Sequence, residues 1–337
     1  MRNWRAVGPA TRDRWLGALV LVLASCASVP HADAQPARKA PVVGYVGLPH
    51  EQSEPRWQDG FVGGLRDLGY RPGETIVVEA RTYRTSDELR TVLQEFVQQK
   101  VDIIFVGQPF VALAARQATR DIPIVCGSCG DPTENGLAAS LARPGGNVTG
   151  LASLSAELIG KRLELVKEML PGISRVTVLL FPANPGTRAT VKVLDGAGRT
   201  LGLEIQRVEI RGAADFEGAF RSAARGGAGA VVLQDDPLLR SVGNQIADLA
   251  LRHRLPVSSG VFEVVDAGGL VAYGPDRVDL YRRAAGFVDR ILKGAKPGDL
   301  PFEQARKLGL VVNLKTARAI GVTVPQSFLL RADRIIE

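Results

Sequence analysis

Two cysteines stand three residues apart in IPIVCGSCGD, Ile122 to Asp131. A Cys-x-x-Cys pair can be a redox centre, half of a metal site or a local disulfide. Cys126 ends a short apolar run that reads as a strand, and GDPT follows Cys129 instead of an immediate helix. The helix dipole that activates a thioredoxin-type thiol is therefore missing. No second Cys pair completes a zinc set, and His31, His50 and His253 are scattered along the chain. No dedicated metal site and no cofactor are expected. A local disulfide, free thiols facing a cleft, and redox or metal work all stay open at this level, an exported chain favouring the first.

Other side chains could bind a small solute. Asp235 and Asp236 follow the strand-like AGAVVLQ and precede Pro237. Adjacent carboxylates need a cation if buried, so they could hold an ammonium group. Equally, one of them could cap the helix that Pro237 begins. Gly107, Gln108 and Pro109 follow another apolar run. Glycine permits close backbone approach, and a helix opening at Pro109 offers free N–H groups to a carboxylate. The same three residues also make an ordinary strand-to-helix turn. Ser128 could donate to a carboxylate, and Asp131 is either a ligand contact or a turn residue. Asn184, in FPANPG, is a ligand candidate or an Asn–Pro turn. Phe262 and Tyr273 could stack on a flat ligand or pack in the core. Glu263 adjoins the first of these, and His50 and Glu51 could reach a cleft or remain solvated.

No catalytic arrangement assembles. The chain has no G-x-S-x-G, no H-E-x-x-H, no Walker loop and no G-x-G-x-x-G opening a helix after a strand. GGAGAV is glycine-rich but leads into a strand, the wrong context for a phosphate.

These candidates need elements to position them. PVVGYVGL, ETIVVEARTY, VDIIFVG and DIPIVCG read as strands. PRWQDGFVGGLRDLGY has helical spacing, with Trp57, Phe61, Leu65 and Leu68 on one stripe. SDELRTVLQEFVQQK opens at Ser86, the expected N-cap, and turns Leu89, Leu93, Phe96 and Val97 inward. PFVALAARQAT completes the series. Strands alternating with helices mean a parallel sheet covered on both faces. LARPGGNVTGLAS then breaks the rhythm, and a second strand–helix series of similar size begins. The expected architecture is two doubly wound α/β lobes. Ligands bind outside the carboxyl ends of parallel strands, which is where every candidate loop falls.

The N-terminus reads as an export signal. Arg2, Arg5, Arg12 and Arg14 precede the apolar WLGALVLVLAS, which is too short to span a membrane. LASC reads as a lipobox that would make Cys26 a lipidated first residue; ADA before Gln35 reads as ordinary cleavage after Ala34. A polar linker covers residues 27–40. Cleavage before Cys26 removes four arginines and Asp13, taking the net charge from +7 to +4. That is too mild to argue for nucleic acid. No later run approaches a membrane span, so any contact with a membrane would be through the lipid.

ARPGGNVTG, Ala142 to Gly150, resembles the crossover of a family of ABC-transporter substrate-binding proteins. GLRDLGYRPGETIVVEAR, GKRLELVKEMLPGISRVTVL, GGLVAYG, RRAAGFVDRILKGAKPGDLPFEQ and LVVNLKTARAIGVTVP resemble it too, in order. The resemblance spans residues from about 41 to 337. It implies a type I periplasmic-binding-protein fold, residues 41–149 and 275–300 forming one lobe and 150–274 and 301–337 the other. Three crossovers would join them near Asn147 to Ala152, Leu270 to Gly274 and Leu310 to Asn313. The implied function is capture of a small polar solute, such as an aromatic or other amino acid, with closure signalling occupancy to a membrane permease. A monomer is expected. A ligand-sensing subunit for a histidine kinase, or an enzyme on the same scaffold, are the alternatives. CGSCGD and GQPF depart from the family's usual loops, which leaves the ligand open.

Overall fold

The computed structural model describes residues 40–47 and 54–337. Cys26, His50, Glu51 and both expected cleavage positions lie outside these residues. The chain runs β1 (Val42–Gly47), α1 (Glu54–Asp67), β2 (Val77–Thr82), α2 (Ser86–Gln99), β3 (Ile103–Val106), α3 (Pro109–Ala118), β4 (Ile124–Cys126) and β5 (Val148–Ala152). It continues through α4 (Ser155–Met169), β6 (Arg175–Leu180), α5 (Thr187–Leu201), β7 (Glu204–Glu209), α6 (Asp215–Arg225), β8 (Ala230–Leu233), α7 (Leu238–Ser241), α8 (Gly243–His253) and β9 (Val257–Ser259). Then come α9 (Phe262–Asp266), β10 (Val271–Pro275), α10 (Arg277–Leu292), β11 (Glu303–Gln304), β12 (Leu308–Asn313), α11 (Leu314–Ile320), α12 (Gln326–Leu329) and β13 (Arg334–Ile336).

Two sheets result. One has the order β11-β5-β4-β3-β1-β2 and the other β13-β12-β10-β9-β8-β6-β7. Every pairing is parallel except that of β10 with β12. The fold is the expected α/β pair of parallel-dominated lobes. Some limits shift. Gly150 to Ala152 and Glu303 to Gln304, expected in the second lobe, are hydrogen-bonded strands of the first sheet. β11 pairs along the outer edge of β5, so the first crossing falls after Ala152 and the third after Gln304. Pro275 belongs to β10 in the second sheet.

Local chemistry explains the elements that carry the loops. β3 is apolar throughout and fully buried, as a strand covered on both faces must be. In α2 the N-cap is Thr85, one residue before the expected Ser86: its hydroxyl accepts from the Glu88 amide at 3.2 Å. In α1, Trp57, Phe61 and Leu65 are buried, but Leu68 lies past the last helical turn and is 44% exposed. α1 packs on α10, whose buried face is Leu280, Tyr281, Ala284, Ala285, Phe287 and Val288. The helices approach closely at Gly64, where a Cβ would stand 2.2 Å from the Arg282 carbonyl oxygen. Tyr45, Phe61, Phe105 and Tyr281 form a continuous aromatic cluster behind this contact. Each such side chain contributes about 1.5–3 kcal/mol on burial.

Strand register aligns the functional loops. Val46 pairs with Val106, Val106 with Cys126, and Cys126 with Gly150. The first-lobe loops at Gly107 and Gly127 thus leave one edge of their sheet. In the second sheet Leu179 pairs with Leu233 and Val232 with Ser258, which aligns the loops after β6, β8 and β9.

Candidate functional site

A cavity of about 420 Å³ lies between these edges and takes lining from both lobes. That volume is in the range of sites that enclose small organic ligands. Gln108, Pro109, Ser128, Asp131, Asn184, Asp235 and Asp236 all line it.

On the first lobe, Gln108 is the N-cap residue of α3 but makes no side-chain cap bond. Its Oε1 is buried without a partner. Gly107 stays behind the wall: a Cβ there would be 1.9 Å from the Tyr281 hydroxyl, so it serves packing. Cys126 and Cys129 are joined by a disulfide, with Cα atoms 5.8 Å apart and both residues fully buried. The bridge closes the turn that presents Ser128. Backbone bonds hold this turn further. The Cys129 amide donates to the Leu151 carbonyl at 2.8 Å, and the Gly130 amide to Ser153 Oγ at 3.0 Å. Asp131 performs its turn role while lining the cavity. Its Oδ1 accepts from the Thr133 amide and hydroxyl and the Glu134 amide. Asn135 donates to the Cys129 carbonyl at 2.9 Å, and its Oδ1 is buried without a partner.

On the second lobe the two aspartates divide their work. Asp235 Oδ1 accepts from Arg162 Nη1 at 2.5 Å, an ion pair with side-chain exposures of 5% and 0%. Arg162 also reaches the Leu233 carbonyl at 3.0 Å and the Ser155 carbonyl at 3.3 Å. The Asp235 charge is thus matched from below, and its Oδ2 is buried without a partner. Asp236 Oδ1 accepts from the Leu238 amide at 3.0 Å, and its Oδ2 from Asn184 Nδ2 at 3.0 Å. Burial pushes the Asp236 carboxyl above the usual range, against the pull of those two hydrogen bonds and of Arg240. Asn184 organises its own turn, accepting from the Gly186 amide at 2.9 Å and donating to the Asp235 carbonyl at 3.0 Å.

Three expected residues lie elsewhere. Phe262 and Glu263 begin α9 and line a separate cavity of about 270 Å³ with Trp57, Asp276 and Lys307. The carboxylate of Asp235 fills the space above Gly260, which precedes them after β9. Tyr273 sits within β10 opposite Leu310 and packs against the apolar cluster that includes Leu165 and Met169.

The cavity also uses residues that sequence reading passed over. Asn135, Ser153, Ser155, Arg240 and Arg277 line it, as does the exposed Glu134. The Arg240 guanidinium lies 4.3 Å from the Trp57 ring centroid and that of Arg277 5.4 Å, so one indole supports both cations. Arg162 did leave a signal, since it falls on the apolar stripe of Ile159, Leu163 and Val166. Among the described residues no group of three or more His, Cys, Asp or Glu side chains could hold a metal ion. No helix of these residues is long and apolar enough to cross a membrane.

Residues 48–336 match the family described as ABC transporter substrate binding protein. The chain belongs to this family. A tyrosine-binding protein of Clostridioides difficile is 26% identical over 284 residues, covering 84% of this chain and 81% of the relative. A solved conserved domain protein of Vibrio cholerae aligns with a TM-score of 0.82 and 25% identity, over 88% of this chain and all of the other. An ABC domain from Streptococcus pneumonia in complex with L-Trp aligns with a TM-score of 0.81 and 21% identity, over the same shares. The interlobe position of the cavity is thus set in a family of substrate-binding proteins with a type I periplasmic-binding-protein fold.

Proposed function

We propose that this chain is the exported solute receptor of an ABC importer and that its solute is an amino acid, held in the interlobe cavity. The observation that carries the reading is the mixed charge of a small cavity lined from both lobes. Asp131, Glu134 and Asp236 face it from one charge class, Arg240 and Arg277 from the other. Opposed charges in a confined space suit a zwitterion, because each solute charge replaces lost water with a partner. The tyrosine-binding relative and the L-Trp-bound fold neighbour support an aromatic side chain, for which Phe110 and Pro109 offer apolar lining.

In this reading the open lobes admit the solute, closure about the crossings encloses it, and the closed form docks on membrane permease subunits. The solute must favour the closed state by its differential affinity for it. Export is read from the leader, with lipidation at Cys26 or release after Ala34. The protein works as a monomer, without a cofactor.

Native mass spectrometry of the exported protein, purified without added solute, followed by thermal shift against amino acids and small acids, tests the proposal. A solute at a hundred times its Kd adds about 2.7 kcal/mol of stability. If nothing co-purifies and no compound raises the melting temperature, the reading fails.

A further inference from the structure

Arg277 is a cation in the solute cavity, and among the described residues no carboxylate is paired with it. It opens α10, where the helix dipole is positive and a carboxylate, not a guanidinium, is favoured. The residue is half-buried, so its charge has lost part of its hydration. Its Nη1 stands 3.5 Å from Ser128 Oγ, a loose contact with a neutral hydroxyl. Trp57 supports the guanidinium from the other side.

The nearby carboxylates, apart from the exposed Glu134, are engaged elsewhere. Asp276 is paired with Lys307 at 2.7 Å and caps the Asp279 amide. Asp279 faces Arg283 at 3.8 Å. Across the cavity, Asp235 is held by Arg162 and Asp236 by Leu238 and Asn184, while on the near side Asp131 is held by its own turn. Among the described residues no acidic side chain makes an ion pair with Arg277.

We propose that Arg277, with the hydroxyl of Ser128, receives a carboxylate of the solute and so selects acids over the corresponding amines. The inference rests on the reading of this cavity as the solute site. The planar guanidinium fork suits a carboxylate, and Ser128 is held beside it by the buried bridge of Cys126 and Cys129. Position adds a consequence. Pro275 ends a strand of the second sheet, and Arg277 starts a helix packed on the first lobe, so a solute on Arg277 bears on a crossing between lobes.

The test compares wild type, Arg277→Met and Arg277→Lys by native mass spectrometry, with calorimetric titration of L-tryptophan, L-tyrosine, tryptamine and tyramine. The expected co-purifying compound carries a carboxylate and is lost from Arg277→Met. Lysine retains the charge but not the fork, so Arg277→Lys keeps part of the binding. Affinity for the amino acids falls about tenfold to a hundredfold in Arg277→Met, the range of a charge-assisted hydrogen bond. Tryptamine and tyramine bind wild type weakly and are insensitive to the substitution.

A co-purifying compound without an acid group overturns both the role of Arg277 and the amino-acid identity of the solute, and leaves only the cavity as the solute site. Equal affinities of wild type and Arg277→Met for the same acid overturn the role of Arg277 and leave the amino-acid reading standing. Absence of any bound compound and of any titration in wild type overturns both. Should Arg277→Met fail to fold, Ser128→Ala and Arg277→Lys carry the comparison, the unliganded melting temperature serving as the fold control.

Discussion

Arg162 Nη1 lies 2.5 Å from Asp235 Oδ1 beneath the floor of the cavity, and neither side chain is more than 5% exposed. The same guanidinium holds the carbonyls of Leu233 and Ser155, so it joins the end of β8 to the segment just past the first crossing. Removing one partner strands the other charge in a dry site. Arg162→Met is expected to cost about 3–5 kcal/mol of unfolding free energy, measured by urea titration. Arg162→Met combined with Asp235→Leu should recover much of that loss. A single variant within about 1 kcal/mol of wild type would remove the pair from the structural account.

If the solute is an amino acid as proposed, Asp236 is expected to give its binding a pH dependence. Burial raises its carboxyl above the ordinary value. With its folded pKa above the unfolded one, Asp236 contributes stability below the unfolded pKa and loses it as pH rises through the folded pKa. Ionised Asp236 therefore burdens the empty protein at neutral pH, and a solute ammonium relieves it. Affinity for an amino acid is expected to fall as pH drops through the raised pKa, read by calorimetry across the acidic range. Asp236→Asn should flatten that profile; an unchanged slope would separate Asp236 from the ammonium.

The second and third crossings are tied together. The Asp276 amide donates to the Lys307 carbonyl at 3.0 Å, and Lys307 Nζ returns to Asp276 Oδ2 at 2.7 Å. Burial tends to raise the Asp276 carboxyl, but the Lys307 hydrogen bond and charge, with the Asp279 amide, hold it below the usual range. The hydrogen bond to Asp276 in turn raises Lys307. For a depressed carboxyl, stability is present above the unfolded pKa and lost as pH falls through the folded one. Lys307 is largely exposed, so Lys307→Met should cost under about 1 kcal/mol at neutral pH, and less in high salt. The difference from wild type should vanish in acid; a salt-independent loss would point to packing instead.

The bridge between Cys126 and Cys129 closes a very short loop, for which chain entropy gives about 2 kcal/mol. Cys126→Ala with Cys129→Ala should lower stability by about that amount. Its larger expected effect is on solute affinity, because Ser128 loses its frame. Both sulfurs are buried, so the native protein should resist alkylation after mild reductant and yield two labelled thiols only on unfolding. Labelling without denaturant would show that the turn opens freely.

The parallel-strand pattern made most of the cavity legible, since loops after such strands must meet at one edge. Gln108, Ser128, Asn184 and Asp236 were found this way. Packing decided the rest. Gly107 follows a strand as expected, yet Tyr281 comes from more than a hundred and fifty residues away to cover it. Phe262 and Glu263 follow a strand too, but they line a separate cavity, and the Asp235 carboxylate lies against Gly260 just before them. Arg162 sat in plain view on an apolar stripe, where a long cation reads as a surface residue with a buried stem. Its meaning depended on a carboxylate 73 positions later. Arg240 and Arg277 looked like ordinary helix-surface charges until Trp57 brought them together.

Trp57 has one more consequence. It lines the separate cavity of about 270 Å³, while the two guanidiniums on its ring line the larger cavity between the lobes, so the indole forms part of the wall between them. The remaining tryptophans, Trp4 and Trp15, precede residue 40. From residue 40 onward the chain emits light from a single indole, clamped by one cation from the second lobe and another from a crossing. If the lobes close on solute as proposed, its emission is expected to change with their position, readable in real time without any label.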